Sequence, residues 1–313
     1  MRAERDDGYF SRSSMLRTVQ RERVVGLLYG ARASFIGALH PLLAEGTNQS
    51  SHAHGRPWER LTRTGLIFED VIFGSRATAD AQLRRVEAMH RKVRGRIERD
   101  GGAYFPKGTP YSADDPELAL LTMGVLADSS EVLFDTFVRP LRPEEREALW
   151  QDYLRFGEMF GVTRSLAPQT HAEFREYFDD WLLGPTHCLS PAARDAGIRV
   201  AFAPPLPLPL LLARPMTYVA LAGTVPRSVL DLYGLPWGPA FDRAFELIAR
   251  AHRAGLPLVP GVLRYGSVKG AFDLIRREEA FRLRFGLPTW RPDPAQADAH
   301  RSATRAARRA APA

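Results

Sequence analysis

Apolar residues recur at spacings of three and four along nearly the whole chain, and strand-like alternation is nearly absent. That period restricts the chain to an all-α architecture. The segment from Ala79 to Arg99 carries it well. Leu83, Val86, His90, Val93 and Ile97 share one face, while Arg84, Arg85, Glu87, Arg91, Lys92, Arg94 and Glu98 take the other. The spacing predicts a helix from Ala77 to Arg99, ended by Gly101-Gly102. Its inward stripe contains one titratable group, His90. A buried imidazole needs a hydrogen-bond partner or a metal, so His90 reads either as a satisfied core histidine or as a ligand.

Start and stop signals divide the rest. Leu16 to Leu43 reads as one or two helices interrupted near Gly30, and Pro57 to Gly74 as a helix stopped by its glycine. Asp115-Pro116-Glu117 supplies an N-cap, a first-turn proline and a first-turn acid for a helix to about Phe137. Pro143-Glu144-Glu145 opens the next, with Trp150, Tyr153, Phe156 and Phe160 inward. Thr170 and Glu173 form a capping box before Phe174, Phe178 and Trp181. Ser190-Pro191 starts a short helix, and Gly238 to His252 and Gly266 to Phe285 are the last long ones. The 313 residues, 45% of them hydrophobic, suffice for a sizeable core.

The net charge of +7 is spread through alternating Arg and Glu or Asp, the pattern of solvated helix faces. Residues 291–313, with Arg301, Arg305, Arg308 and Arg309 among Ala and Pro, read as a disordered basic tail. A specific nucleic-acid role is not expected from it. Cys188 is the single cysteine, which excludes an intrachain disulfide and any cysteine-built zinc or iron–sulfur site. The charged N-terminal stretch shows no signal peptide, and the expected location is cytoplasmic. Val200 to Val225 has the length of a membrane span but carries Pro204, Pro205, Pro207, Pro209 and Pro215 with Arg214. Prolines there break the helix that hydrocarbon requires. The segment reads as an extended buried connection or substrate-facing wall, with shallow peripheral membrane contact by LPLPLLL as the alternative.

No Gly-rich phosphate loop, HExxH, GxSxG or CxxC occurs. What remains is a pair of neighbouring helices with unusual polar groups. Arg60 and Thr64, four apart, stack on one face beside Ile67, Phe68 and Val71. With His90 they could line one pocket. Alternatively Arg60 pairs with an acid such as Asp70 or Glu87, and Thr64 bonds its own backbone.

An ordered set of short motifs runs through the chain. His40-Pro41 comes first, then Arg60-Leu61 with Arg63-Thr64, and Phe73-Gly74-Ser75. HRKVRG (His90, Val93, Gly95), YSADDP at Tyr111 to Pro116, ADSS at Ala127 to Ser130 and GLPW at Gly234 to Trp237 follow. In this order they resemble the family of the latex-clearing rubber oxygenases and the fungal mpaB oxygenase. The resemblance covers most of the chain, with a domain at 12–290. It implies a globin-like helical fold enclosing haem b, with the His-x-x-Val-x-Gly histidine, here His90, as proximal iron ligand. Arg60 and Thr64 fall on the family's Arg and Thr at the haem. The implied reaction is O2-dependent oxidation of a hydrophobic, unsaturated, isoprenoid-like molecule, by cleavage of a carbon–carbon double bond where known. Arg63 replaces a lysine that closes the distal site in some members. An arginine stays charged and cannot ligate iron, so an open or water-filled distal side is expected. Leu121 and Met123 stand where many members carry a Trp-x-His pair, which leaves the exact reaction open.

Two readings from other classes stand beside this one: a non-catalytic helical carrier of haem or lipid, and a basic scaffold acting through the tail. His52 and His54 read as a polar loop, His40 as a helix cap, and His187-Cys188 as no site.

Overall fold

Helix α6, Pro116–Phe137, is nearly all core, and its start is written locally. The Asp115 carboxylate accepts from the backbone N–H groups of Glu117 and Leu118, and Pro116 opens the first turn. In the computed structural model, which describes residues 7–49, 57–207 and 214–287, the main core gathers around α6. Helix α2 (Arg23–Gly37) makes the most extensive contact with it. Helices α1 (Met15–Gln20), α7 (Pro143–Glu158) and α8 (His171–Leu183) complete the main core. Trp150 stacks on Phe174 with ring centroids 4.1 Å apart, and its indole N–H donates to the Pro168 carbonyl. The capping box at Thr170 and Glu173 forms as expected.

A second apolar cluster gathers on the C-terminal half of α2, against α9 (Pro191–Phe202), α10 (Arg214–Ala222) and α11 (Arg227–Leu232). Phe35 stacks on Tyr233 at 3.7 Å, and the Tyr233 hydroxyl donates to the Phe35 carbonyl. A buried polar network ties this cluster to the main core. Arg32 donates from one side of its guanidinium to the Thr224 carbonyl, and from the other to Asp128 at 2.6 Å and Ser129 at 2.9 Å. Arg175 satisfies the second Asp128 oxygen at 2.6 Å. Ser130, Tyr153 and Gln20 bond one another beside it. The ADSS motif is therefore a buried strut between helices.

Helices α4 (Pro57–Phe73) and α5 (Arg76–His90) form a hairpin turning at Gly74-Ser75, with α4 also against α2. α3 (Pro41–Gln49) precedes it. α12 (Pro239–Gly255), α13 (Gly261–Arg264) and α14 (Lys269–Arg284) close the described chain, and Phe272 of α14 packs on Gly65 of α4. The all-α class stands, and among the described residues no helix is long and apolar enough to cross a membrane.

Three local expectations need correction. The His90 helix does not run to Arg99: it ends at His90, with Arg91 as C-cap. The chain continues into β1 (Arg94–Arg96), which pairs antiparallel with β2 (Pro110–Ser112). Val93, Gly95 and Ile97 also fit a period of two, with Arg94 and Arg96 between them and exposed. Gly95 weakens a helix, and pairing with the strand at Tyr111 satisfies the backbone instead. Nor does Gly30 interrupt a helix. The breaks fall at Arg21-Glu22 and after Gly37, while Gly30 lies inside α2 against Leu61. Finally, Val200 to Val225 is not extended throughout. α10 forms from Arg214, where Pro215 sits in the first turn and the following residues to Ala222 contain no proline. Most of LPLPLLL, the His52–His54 loop and the basic tail lie outside the described residues.

Candidate functional site

The hairpin register positions the site. His90 and Arg60 stand about equally far from the turn, roughly 20 Å along their helices at 1.5 Å rise per residue. This sets the C-terminus of α5 beside the first turns of α4. On α5, Asp80, Leu83, Arg84, Glu87 and His90 lie on one face, and that face borders a cleft of about 450 Å³. The size falls in the range of small-molecule and cofactor sites. The opposite wall comes from Ala119 of α6 and from Met159, Phe160 and Gly161 after α7. Gly161, at φ +99°, makes the turn that brings this wall round.

His90 is half-buried on the cleft, and its ring nitrogens have no hydrogen-bond partner among the described residues. Burial pushes its pKa below the usual 6.5, Asp114 opposes that shift, and the positive charge of Arg60 adds to it. The imidazole is thus held neutral with its lone pair available, as an axial metal ligand must be. His90 is not a core histidine, because the ring is only half-buried.

Arg60 is close enough to act electrostatically on His90 but does not border the cleft. It donates to the Thr47 carbonyl at 3.0 Å and to the Thr47 hydroxyl, not to Asp70 or Glu87. Burial lowers its pKa even though the side chain keeps partial solvent access. Thr64, one turn on, is exposed and bonds the Arg60 carbonyl at 3.2 Å, as the local alternative foresaw. No contact joins Thr64 to His90. Phe68, one further turn along this column, packs edge-on against Phe160 of the cleft wall at 5.3 Å. The structure thus places Arg60 within electrostatic reach of His90 and Thr64 on the exposed side of α4, and neither lines the cleft.

The charges around the cleft are mostly spoken for. Asp80 takes the Tyr9 hydroxyl at 2.5 Å, Glu87 pairs with Arg91, Asp114 with Arg94 at 3.7 Å and Glu158 with Arg164 at 3.4 Å. Arg84 has no ion-pair partner among the described residues, so it is the cation of the cleft not already paired with an acid. Apart from His90, the cleft residues were missed in the sequence. Leu83 and Val86 carried a signal, their shared stripe with His90, whereas Arg84 and Glu87, expected on the opposite face, border the cleft beside it. Those of the far wall carried none, because they reach the site through tertiary packing.

The model of the ER-bound oxygenase mpaB/B′ and rubber oxygenase catalytic domain matches residues 17–254. The chain belongs to this family. Two similar relatives are uncharacterised proteins of Mycobacterium bovis and Mycobacterium tuberculosis, each 26% identical over 221 residues, 67% of this chain and 79% of theirs. No solved structure matches.

Within this mpaB/rubber oxygenase frame, Arg63 is exposed and paired with Glu59 at 2.6 Å on the outer face of α4. Leu121 and Met123 are both buried in α6, and Met123 packs on Gly157 of α7. His40 is not a surface cap. It is 7% exposed against the Phe105 ring, its Nδ1 has no partner, and burial with His187 nearby pushes its pKa down to about 4.

Proposed function

We propose that this chain is a haem b-dependent oxygenase that uses O2 to oxidise a hydrophobic, unsaturated, isoprenoid-like small molecule. The observation that carries the reading is His90: neutral, without a hydrogen bond, and facing a cleft of about 450 Å³ in a chain of an oxygenase family. The donor set fits haem. Among the described residues no group of three or more His, Cys, Asp or Glu could hold a bare ion. A metal here would bring most of its own ligands, as a macrocycle does, and ask the protein for one axial nitrogen.

Bound haem would supply the oxygen chemistry. The protein's residues do the rest. His90 would hold the iron from its side. Leu83, Val86, Ala119, Met159 and Phe160 offer the group an apolar wall. The uncommitted charge of Arg84 suits a carboxylate of the group in the cleft, and the apolar wall suits its ring. Arg60 stays cationic and helps keep His90 neutral, and the small Thr64 would add a hydroxyl one turn along α4. Arg63 faces outward and brings no amine toward the site.

Protein expressed with haem supply should show a Soret absorption band. His90→Ala should lose it while keeping the helical circular-dichroism signal, since His90 is only half-buried and bonds nothing. A full Soret band in that variant would falsify the ligand assignment. Leu121 and Met123 favour one second reading, a haem carrier without turnover. Oxygen uptake with isoprenoid alkenes separates the two.

A further inference from the structure

A separate surface of the molecule is apolar where it has no reason to face water. Along α12 and its short extension, Leu247, Ala251, Ala254 and Leu258 recur at spacings of four, three and four, and all are exposed. The stripe runs on into the loop and α13, where Val262 and Leu263 also point out. Leu258 is 85% exposed and Val262 76%, so these side chains stand clear of the molecule. Pro257 and Pro260 hold the loop in shape, and Arg23 donates to the Val262 and Tyr265 carbonyls to pin its base.

Cations border the same tip. Arg21 and Arg264 both lie over the Tyr265 ring at 4.7 Å. Arg23, at the base of the same loop, adds a further charge there. Glu22 neutralises Arg264 at 2.7 Å and Glu246 pairs with Arg250, so the uncompensated cations at the tip are Arg21 and Arg23, which have no acid partner among the described residues. We propose that this tip, Leu258 to Leu263 with the outer stripe of α12, is a docking surface for an anionic lipid bilayer. A projecting aliphatic tip offers no groove to a folded partner, but hydrocarbon that yields around it removes its area from water. An apolar stripe rimmed by arginine matches the chemistry of an anionic interface. The surface is independent of the haem reading, and its test does not depend on that reading.

The test is flotation of the full-length protein with vesicles of phosphatidylcholine, alone or mixed with phosphatidylserine. Wild-type protein should float with the mixed vesicles and lose much of that binding at high salt. The double variant Val262→Asp/Leu263→Asp, and separately Leu258→Ser, should each cut the bound fraction about tenfold with unchanged thermal melting. Both leave the basic tail intact, so the tail cannot explain the loss. The proposal is overturned if wild-type protein ignores the mixed vesicles or if both variants float like wild type. It is equally overturned if the substitutions split a dimer seen by light scattering and leave vesicle binding intact, since the tip would then serve a second copy.

Discussion

Two histidines show how burial acts on a single residue. His90 faces a cleft and has its lone pair free, whereas His40 is enclosed beside Phe105 with nothing to bond its Nδ1. Burial lowers both pKa values, and for His40 the value falls from 6.5 to about 4. The unfolded chain therefore takes up the His40 proton first as pH falls. No stability is lost above pH 6.5; the loss grows as pH drops through 6.5 toward 4 and is complete below that. The linked cost is on the order of 3 kcal/mol at 1.36 kcal/mol per pKa unit. Urea unfolding at pH 7 and pH 4.5 should show this drop in the wild type and a clearly smaller one in His40→Gln. Equal drops would show that other groups carry the acid limb. In the sequence His40 read as a helix cap, because its surroundings, Phe105 and His187, come from distant segments.

At the scale of elements, the helix starts were legible because caps are local chemistry. Asp115, Thr170 and Ser190 each accept a backbone N–H two or three residues on, as their residue types and spacing indicated. Asp115→Ala should cost about 1 kcal/mol. Hydrogen exchange at the Glu117 and Leu118 amides should quicken; protection unchanged there would remove the cap from the account. Helix ends were less legible. Residues after His90 satisfy both a helical and a strand period, and the choice fell to a partner strand that lies some way along the chain at Pro110–Ser112. That choice matters for the site. Ending α5 at His90 leaves the imidazole at a helix terminus, on the lip of the cleft and not inside a packed stripe.

For the molecule as a whole, the two apolar clusters share α2, and the Arg32–Asp128–Arg175 network spans the join. Arg32 is 1% and Asp128 3% exposed, so removing the acid strands a buried guanidinium. Asp128→Ala should cost about 3–5 kcal/mol, read as a lowered urea midpoint. A loss within experimental error would mean that the Thr224 carbonyl and Ser129 satisfy Arg32 alone. Arg32 and Asp128 lie 96 positions apart, and no spacing rule could have paired them. The sequence by itself determined the all-α class, most helix starts, and the candidacy of His90, Arg60 and Thr64. These follow from periodicity, caps and an ordered set of motifs, all readable along the chain. The tertiary structure decided that His90 bonds no other described residue, that Arg60 acts on it from the neighbouring helix, and that Met159 and Phe160 share its cleft. Whether a polar group is satisfied depends on everything packed around it, and packing joins residues that the sequence keeps far apart.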